Sequence, residues 1–183
     1  MSEPGRLDLT PLPQRLAELA PPAEVMALVE AEHARWRDLH DRLIGIIAAT
    51  IDVAVAHGVP LQQVLDEVVA GTQVGLGTLV SSQLDPVAIA ALLRAHGSVG
   101  PVVQTPGAVE FHHECGSGLR YWRDHPDTLT VAEGEVEGVP AGRPRYCARC
   151  MNTIATHAGD RWTVQPPADT ADHCTWRIAA PTD

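Results

Sequence analysis

From Ala23 to about His57, apolar side chains recur at three- and four-residue steps: Val25, Leu28, Val29, Trp36, Leu39, Leu43, Ile44, Ile47, Ile51 and Val55. That period predicts one long amphipathic helix. Pro22 suits its first turn and Gly58 its C-terminal end. Gly58-Val59-Pro60 breaks the pattern, and Leu61, Val64, Leu65, Val68 and Val69 resume it in a second helix. Gly71, Gly75 and Gly77 weaken that helix towards its end, because glycine costs roughly 1 kcal/mol relative to alanine in a helix interior. Asp85-Pro86 supplies a cap and a first-turn proline for a third helix, which Gly97 ends after His96. Upstream, residues 1–21 read as a proline-rich arm with one short amphipathic piece, Leu12 to Leu19.

After Gly97 the helical period gives way to short β-like runs bounded by Gly and Pro. They are Val99 to Val103, Ala108 to Cys115, Thr128 to Val131, Arg161 to Gln165 and Cys174 to Ile178. One short helix is expected from about Cys147 to His157, ended by Gly159. Six of the seven aromatic residues lie in this half, with only Trp36 in the helical one. The pattern predicts an α+β chain: a helical layer of about three helices (22–97) packed on a small, mainly antiparallel sheet (98–183). The two regions could share one core.

Composition narrows the partners. Hydrophobic content of 45% and charged content of 20% are ordinary for a globular protein, while the net charge is −10. All 13 basic residues are arginine, without a basic cluster, which argues against coating nucleic acid. The most apolar stretch, Leu43 to Val55, is interrupted by Asp52 and is too short for a bilayer. The N-terminus lacks a basic region followed by an apolar run. A cytoplasmic protein is expected, and there cysteines stay reduced.

The four cysteines are Cys115, Cys147, Cys150 and Cys174. Cys147-x-x-Cys150 is the half-site spacing with which one helical turn grips a tetrahedral ion, and Cys115 and Cys174 are the remaining thiols. Zinc held by four cysteines is the simplest reading; a Cys147/Cys150 redox pair or plainly buried thiols are the alternatives. Strand alternation places Val109, Phe111, His113 and Cys115 on one face and Glu110, His112 and Glu114 on the other. His113 is therefore a possible fourth ligand or a partner of one. Cys115-Gly116-Ser117-Gly118 reads either as a plain turn or as a backbone nest for an anion, with Arg120, Arg123 and Trp122 as candidate substrate-binding residues. Glu30-x-x-His33 has the spacing of di-iron carboxylate bundles but lacks a second copy on a helix. His33, Trp36 and His40 share a helix face that could line a cavity with the second half.

Two resemblances bear on function. His112-x-Glu114 followed by Cys147-x-x-Cys150 resembles the zinc-dependent cytidine deaminase pattern, in which Glu moves protons beside the metal. Here the proline is Pro144 rather than the residue before Cys147, and His-x-Glu lies on a predicted strand rather than at a helix start. The second resemblance rests on order and cysteine placement over residues 60–178: Phe111 to Cys115, Cys147 to Cys150, Gly159-Asp160, then Cys174-Thr175-Trp176. This layout resembles the aminothiazoline-carboxylate hydrolase-like and 4-vinyl-reductase-type small-molecule-binding domains. It implies helices against a small sheet enclosing a ligand pocket. The expectation is a zinc-containing small-molecule enzyme, hydrolase- or lyase-like, with catalytic candidates His112, His113 and Glu114. The alternatives are a zinc-stabilised ligand-binding or regulatory module and a deaminase-like hydrolase. The long first helix suggests a homodimer.

Overall fold

A computed structural model describes residues 6–68 and 85–180. Its helices are α1 (Leu12–Ala17), α2 (Ala23–Ala56), α3 (helical over 61–68), α4 (Pro86–Ala95), α5 (Gly118–Asp124) and α6 (Arg145–Ala158). Four strands, β1 (Val102–Thr105), β2 (Ala108–His113), β3 (Trp162–Gln165) and β4 (Cys174–Ala179), form one antiparallel sheet in the order β1-β2-β4-β3. The glycines expected to weaken α3 lie outside the described residues. Asp85 caps α4 as its sequence predicts, its carboxylate accepting from the Val87 N–H at 3.0 Å.

The helical residues divide between separate buried clusters. Ile89, Ala90 and Leu93 of α4, Ile154 of α6 and Leu9 of the arm share one with Phe111, Trp162, Trp176 and Ile178 of the strands. A second joins Ile51 of α2 to Leu61, Val64 and Leu65 of α3, to Val131, Val136 and Val139, and to Ala148 of α6. A third joins Ile44 and Ala48 to Tyr146. Helix α6 thus enters all three clusters. The buried residues of α2 group with α3, α6 and the 131–139 loop, in clusters that contain no strand residue.

Thr128 to Val131, expected as a strand, forms only an isolated bridge, Thr130 to Pro144. Backbone bonds Val131 N–H to Arg143 O (2.7 Å) and Arg145 N–H to Leu129 O (3.1 Å) flank it. The partner segment turns at once into α6, so the ladder stops there. Its effect is to fix the entry of α6, which starts two residues before the expected Cys147. Arg145 reinforces the junction through Asp52 of α2 at 3.3 Å and Glu135 at 3.5 Å.

Candidate functional site: a cavity walled by four thiols

Pairing in the sheet sets which side chains face the helices. His113 lies directly across from Cys174, Phe111 from Trp176 and Val109 from Ile178, so these side chains share one face. Cys115 follows β2 in the turn that leads into α5, while Cys147 and Cys150 project from consecutive turns of α6. All four thiols are free, and all line one cavity of about 180 Å³. Leu92, Leu93, Ile154, Trp162, Val164 and Trp176 supply much of its apolar wall.

The Cys-Gly-Ser-Gly turn is built for close approach. A Cβ on Gly116 would lie 1.9 Å from the His96 carbonyl oxygen, and one on Gly118 would lie 2.9 Å from the Cys147 sulfur. These glycines let the turn press against the end of α4 and the start of α6. The Ser98 hydroxyl accepts from the Gly116 N–H at 3.3 Å, and the Ser117 hydroxyl lies 3.3 Å from the Cys115 sulfur. The plain-turn reading of this motif therefore has a packing reason, and the turn continues into α5, a helix the sequence reading did not anticipate.

Low dielectric and mutual proximity govern the thiols. Burial pushes Cys150 up to about 12, with neighbouring Cys115 adding to the effect and the Arg149 guanidinium opposing it. Burial, followed by Cys115 and Cys150, holds Cys147 well above the ordinary thiol range. Cys174 is raised by burial first, then by the other three thiols. For Cys147, Cys150 and Cys174 the thiolate is disfavoured by desolvation and by neighbouring thiols, a balance that a cation reverses by coordination. Among the described residues, no group of three or more His, Cys, Asp or Glu side chains is arranged to hold a metal ion. The thiols share a cavity wall rather than a closed coordination sphere.

The other expected site residues fall in three places. His113 is fully buried beside Cys174, edge-on to Trp176 at 5.4 Å between ring centroids. Neither of its ring nitrogens has a hydrogen-bond partner among the described residues. Burial first, then the charges of His173 and His112, lower its pKa to about 4. His112 and Glu114 point to the opposite face, as alternation requires: His112 meets Glu110 at 3.0 Å, and Glu114 pairs with Arg123 at 3.0 Å. Arg120 is buried and turns to α2, where it pairs with Asp41. Trp122 is half-buried on α5 and does not line the thiol cavity.

Sequence reasoning missed the cavity residues His96, Tyr146 and Arg149. Burial raises the Tyr146 hydroxyl to about 12, and the Arg149 guanidinium stands 5.8 Å from its ring centroid. Both flank cysteines of the Cys-x-x-Cys turn, which was the available signal. His96 stacks edge-on with His40, their nitrogens 3.2 Å apart. The expected face of His33 and Trp36 lines a separate cavity of about 740 Å³ that also reaches Glu114 and Arg120. Among the described residues, no helix is long and apolar enough to cross a membrane. The site thus belongs to an α+β chain with a small apolar cavity rimmed by thiols. No protein-family model, curated protein or solved structure matches the chain.

Proposed function

We propose that Cys115, Cys147, Cys150 and Cys174 bind one zinc ion and that the chain is a zinc-stabilised small-molecule-binding module. The observation carrying this reading is that four free thiols, drawn from a turn, a helix and a strand, face one cavity. Drawn in from the cavity wall around one ion, four thiolates would close a tetrahedral sphere and leave no open position, which makes the ion structural rather than catalytic. The metal would tie α6 and the α5 turn to the sheet, packing the helices against it as the sequence pattern suggests.

Two further observations favour a module over a zinc hydrolase. The acid–base candidates His112 and Glu114 lie on the face away from the thiols, engaged with Glu110 and Arg123. His113 is buried and held neutral, so it cannot serve as a general acid near pH 7. With the ion between the four sulfurs, the ligand is assigned to the separate cavity of about 740 Å³ lined by Leu28, Val29, His33 and Trp36, which suits a small aromatic or aliphatic molecule. A ligand pocket is also what the hydrolase-like and vinyl-reductase-type resemblance implies. The reading includes a homodimer through α2, supported by its exposed apolar residues Leu39, Leu43, Ile46 and Val53.

Metal analysis of purified protein tests the proposal. Wild type is expected to hold about one zinc per chain, Cys147→Ser and Cys174→Ser to lose most of it, and His113→Ala to keep it. Zinc retained in Cys174→Ser but lost in His113→Ala would replace the fourth thiol with the imidazole. Absence of zinc from wild type would return the thiols to the buried, neutral reading.

A further inference from the structure

The outer face of the sheet carries a second cluster, independent of the thiols. Glu110, His112, Thr175 and Arg177 sit in facing register on β2 and β4, and His173 adjoins them just before β4. His112 Nε2 lies 3.0 Å from Glu110 Oε2, and His173 Nδ1 lies 3.2 Å from Asp172 Oδ1. The two remaining ring nitrogens, His112 Nδ1 and His173 Nε2, face each other at 3.3 Å. Thr175 Oγ1 is 3.4 Å from the same His112 nitrogen. A polar hollow of about 300 Å³ opens over these groups.

Proton placement makes this arrangement informative. Glu110 accepts from His112 Nε2–H, which leaves Nδ1 as the lone-pair nitrogen facing His173. With the His173 proton on Nδ1, on the side of Asp172, both facing nitrogens carry lone pairs, and a cation between them replaces repulsion with coordination. Carboxylate-anchored imidazoles are also the way metal-binding histidines are oriented, the anchor fixing the tautomer and raising ligand basicity. With metal–nitrogen bonds of about 2.0–2.1 Å in tetrahedral geometry, two imidazole nitrogens stand roughly 3.3–3.4 Å apart. The observed spacing fits that value. The Arg177 guanidinium beside the cluster is offset by Glu110, at 3.5 Å.

We propose that His112 and His173 form a surface site for a tetrahedral Zn²⁺ ion. Glu110 and Asp172 act as orienting partners, and the hollow leaves the remaining coordination positions to water or a donor ligand. Imidazole suits zinc, and a two-histidine site is open by construction. The site lies on the face opposite His113 and Cys174, so its occupancy is separate from that of the thiols.

The test is titration of Zn²⁺ by calorimetry into protein that already carries one zinc per chain, with the histidine ring signals followed by NMR. Wild type is expected to bind one further Zn²⁺, with the largest shifts on the His112 and His173 rings. His112→Ala and His173→Ala should each weaken this second event at least about 100-fold, and Glu110→Gln about 10- to 100-fold. Glu110 and His112 are half-buried and His173 is exposed, and unchanged circular dichroism checks that the variants are folded. A second event unaltered in both histidine variants overturns the proposal, as does one that survives them and is lost in Cys147→Ser. Rings that ignore millimolar Zn²⁺ overturn it too, leaving a proton shared between the imidazoles.

Discussion

His113 is the residue whose environment has the sharpest thermodynamic consequence. Its pKa falls to about 4 in the folded chain through burial, against about 6.5 when unfolded. The unfolded chain therefore takes up the proton first as pH falls. Stability attributable to the neutral ring is complete above about pH 6.5 and is lost as pH drops towards 4. Across that window the loss is on the order of 3 kcal/mol. His113→Leu should remove this dependence: the stability difference between the two proteins, at matched metal load, should widen in the variant's favour from pH 7 to pH 4.5. A pH-independent difference by chemical denaturation would mean the ring is protonated or partnered. The turn glycines make a second prediction at this scale. Gly116→Ala forces a methyl against the backbone of His96 and Gly97 and should cost about 3 kcal/mol or more, beyond ordinary overpacking. Gly107→Ala meets nothing within 4 Å and should stay within about 0.5 kcal/mol.

At the scale of elements, α6 is the hub, and its role was only partly legible. The Cys-x-x-Cys turn announced a helix near residue 147. The sequence could not say that Ala148 would enter the α2–α3 cluster while Ile154 enters the sheet cluster, because helical period gives a face and not its partner. Strands β2, β3 and β4 were readable from the sequence, down to His113 and His112 taking opposite faces, whereas β1 runs over Val102–Thr105 instead of Val99 to Val103 and Thr128 to Val131 forms no strand. Helix α5 was not readable, because Gly-Ser-Gly argues for a turn and only the close approach of Gly118 to Cys147 explains the helix that follows. The thiol convergence was suggested by residue type alone; its polar neighbours His96, Tyr146 and Arg149 come from elements whose packing is set by tertiary contacts. If α6 couples the clusters, Ile154→Ala and Ile51→Ala should each cost about 2–5 kcal/mol. Both should shift one common unfolding transition. Two separable transitions in calorimetry would show that the clusters unfold independently.

For the molecule as a whole, the long helix leaves a stripe unsatisfied. Leu39 is 59% exposed, Ile46 62% and Val53 57%, at seven-residue spacing along α2. Such a stripe is the seam along which helices pair. Sedimentation should therefore find a dimer that Leu39→Glu with Ile46→Glu converts to a monomer; a monomeric wild type would contradict the dimer. The net charge of −10 keeps the rest of the surface repulsive between copies, favouring association where charge is sparse. X-ray absorption at the zinc edge of protein loaded with one equivalent tests the four-thiol site in the cavity most directly. Binding by Cys115, Cys147, Cys150 and Cys174 predicts a first shell of about four sulfurs near 2.3 Å. A first shell dominated by nitrogen and oxygen, near 2.0–2.1 Å, would contradict it.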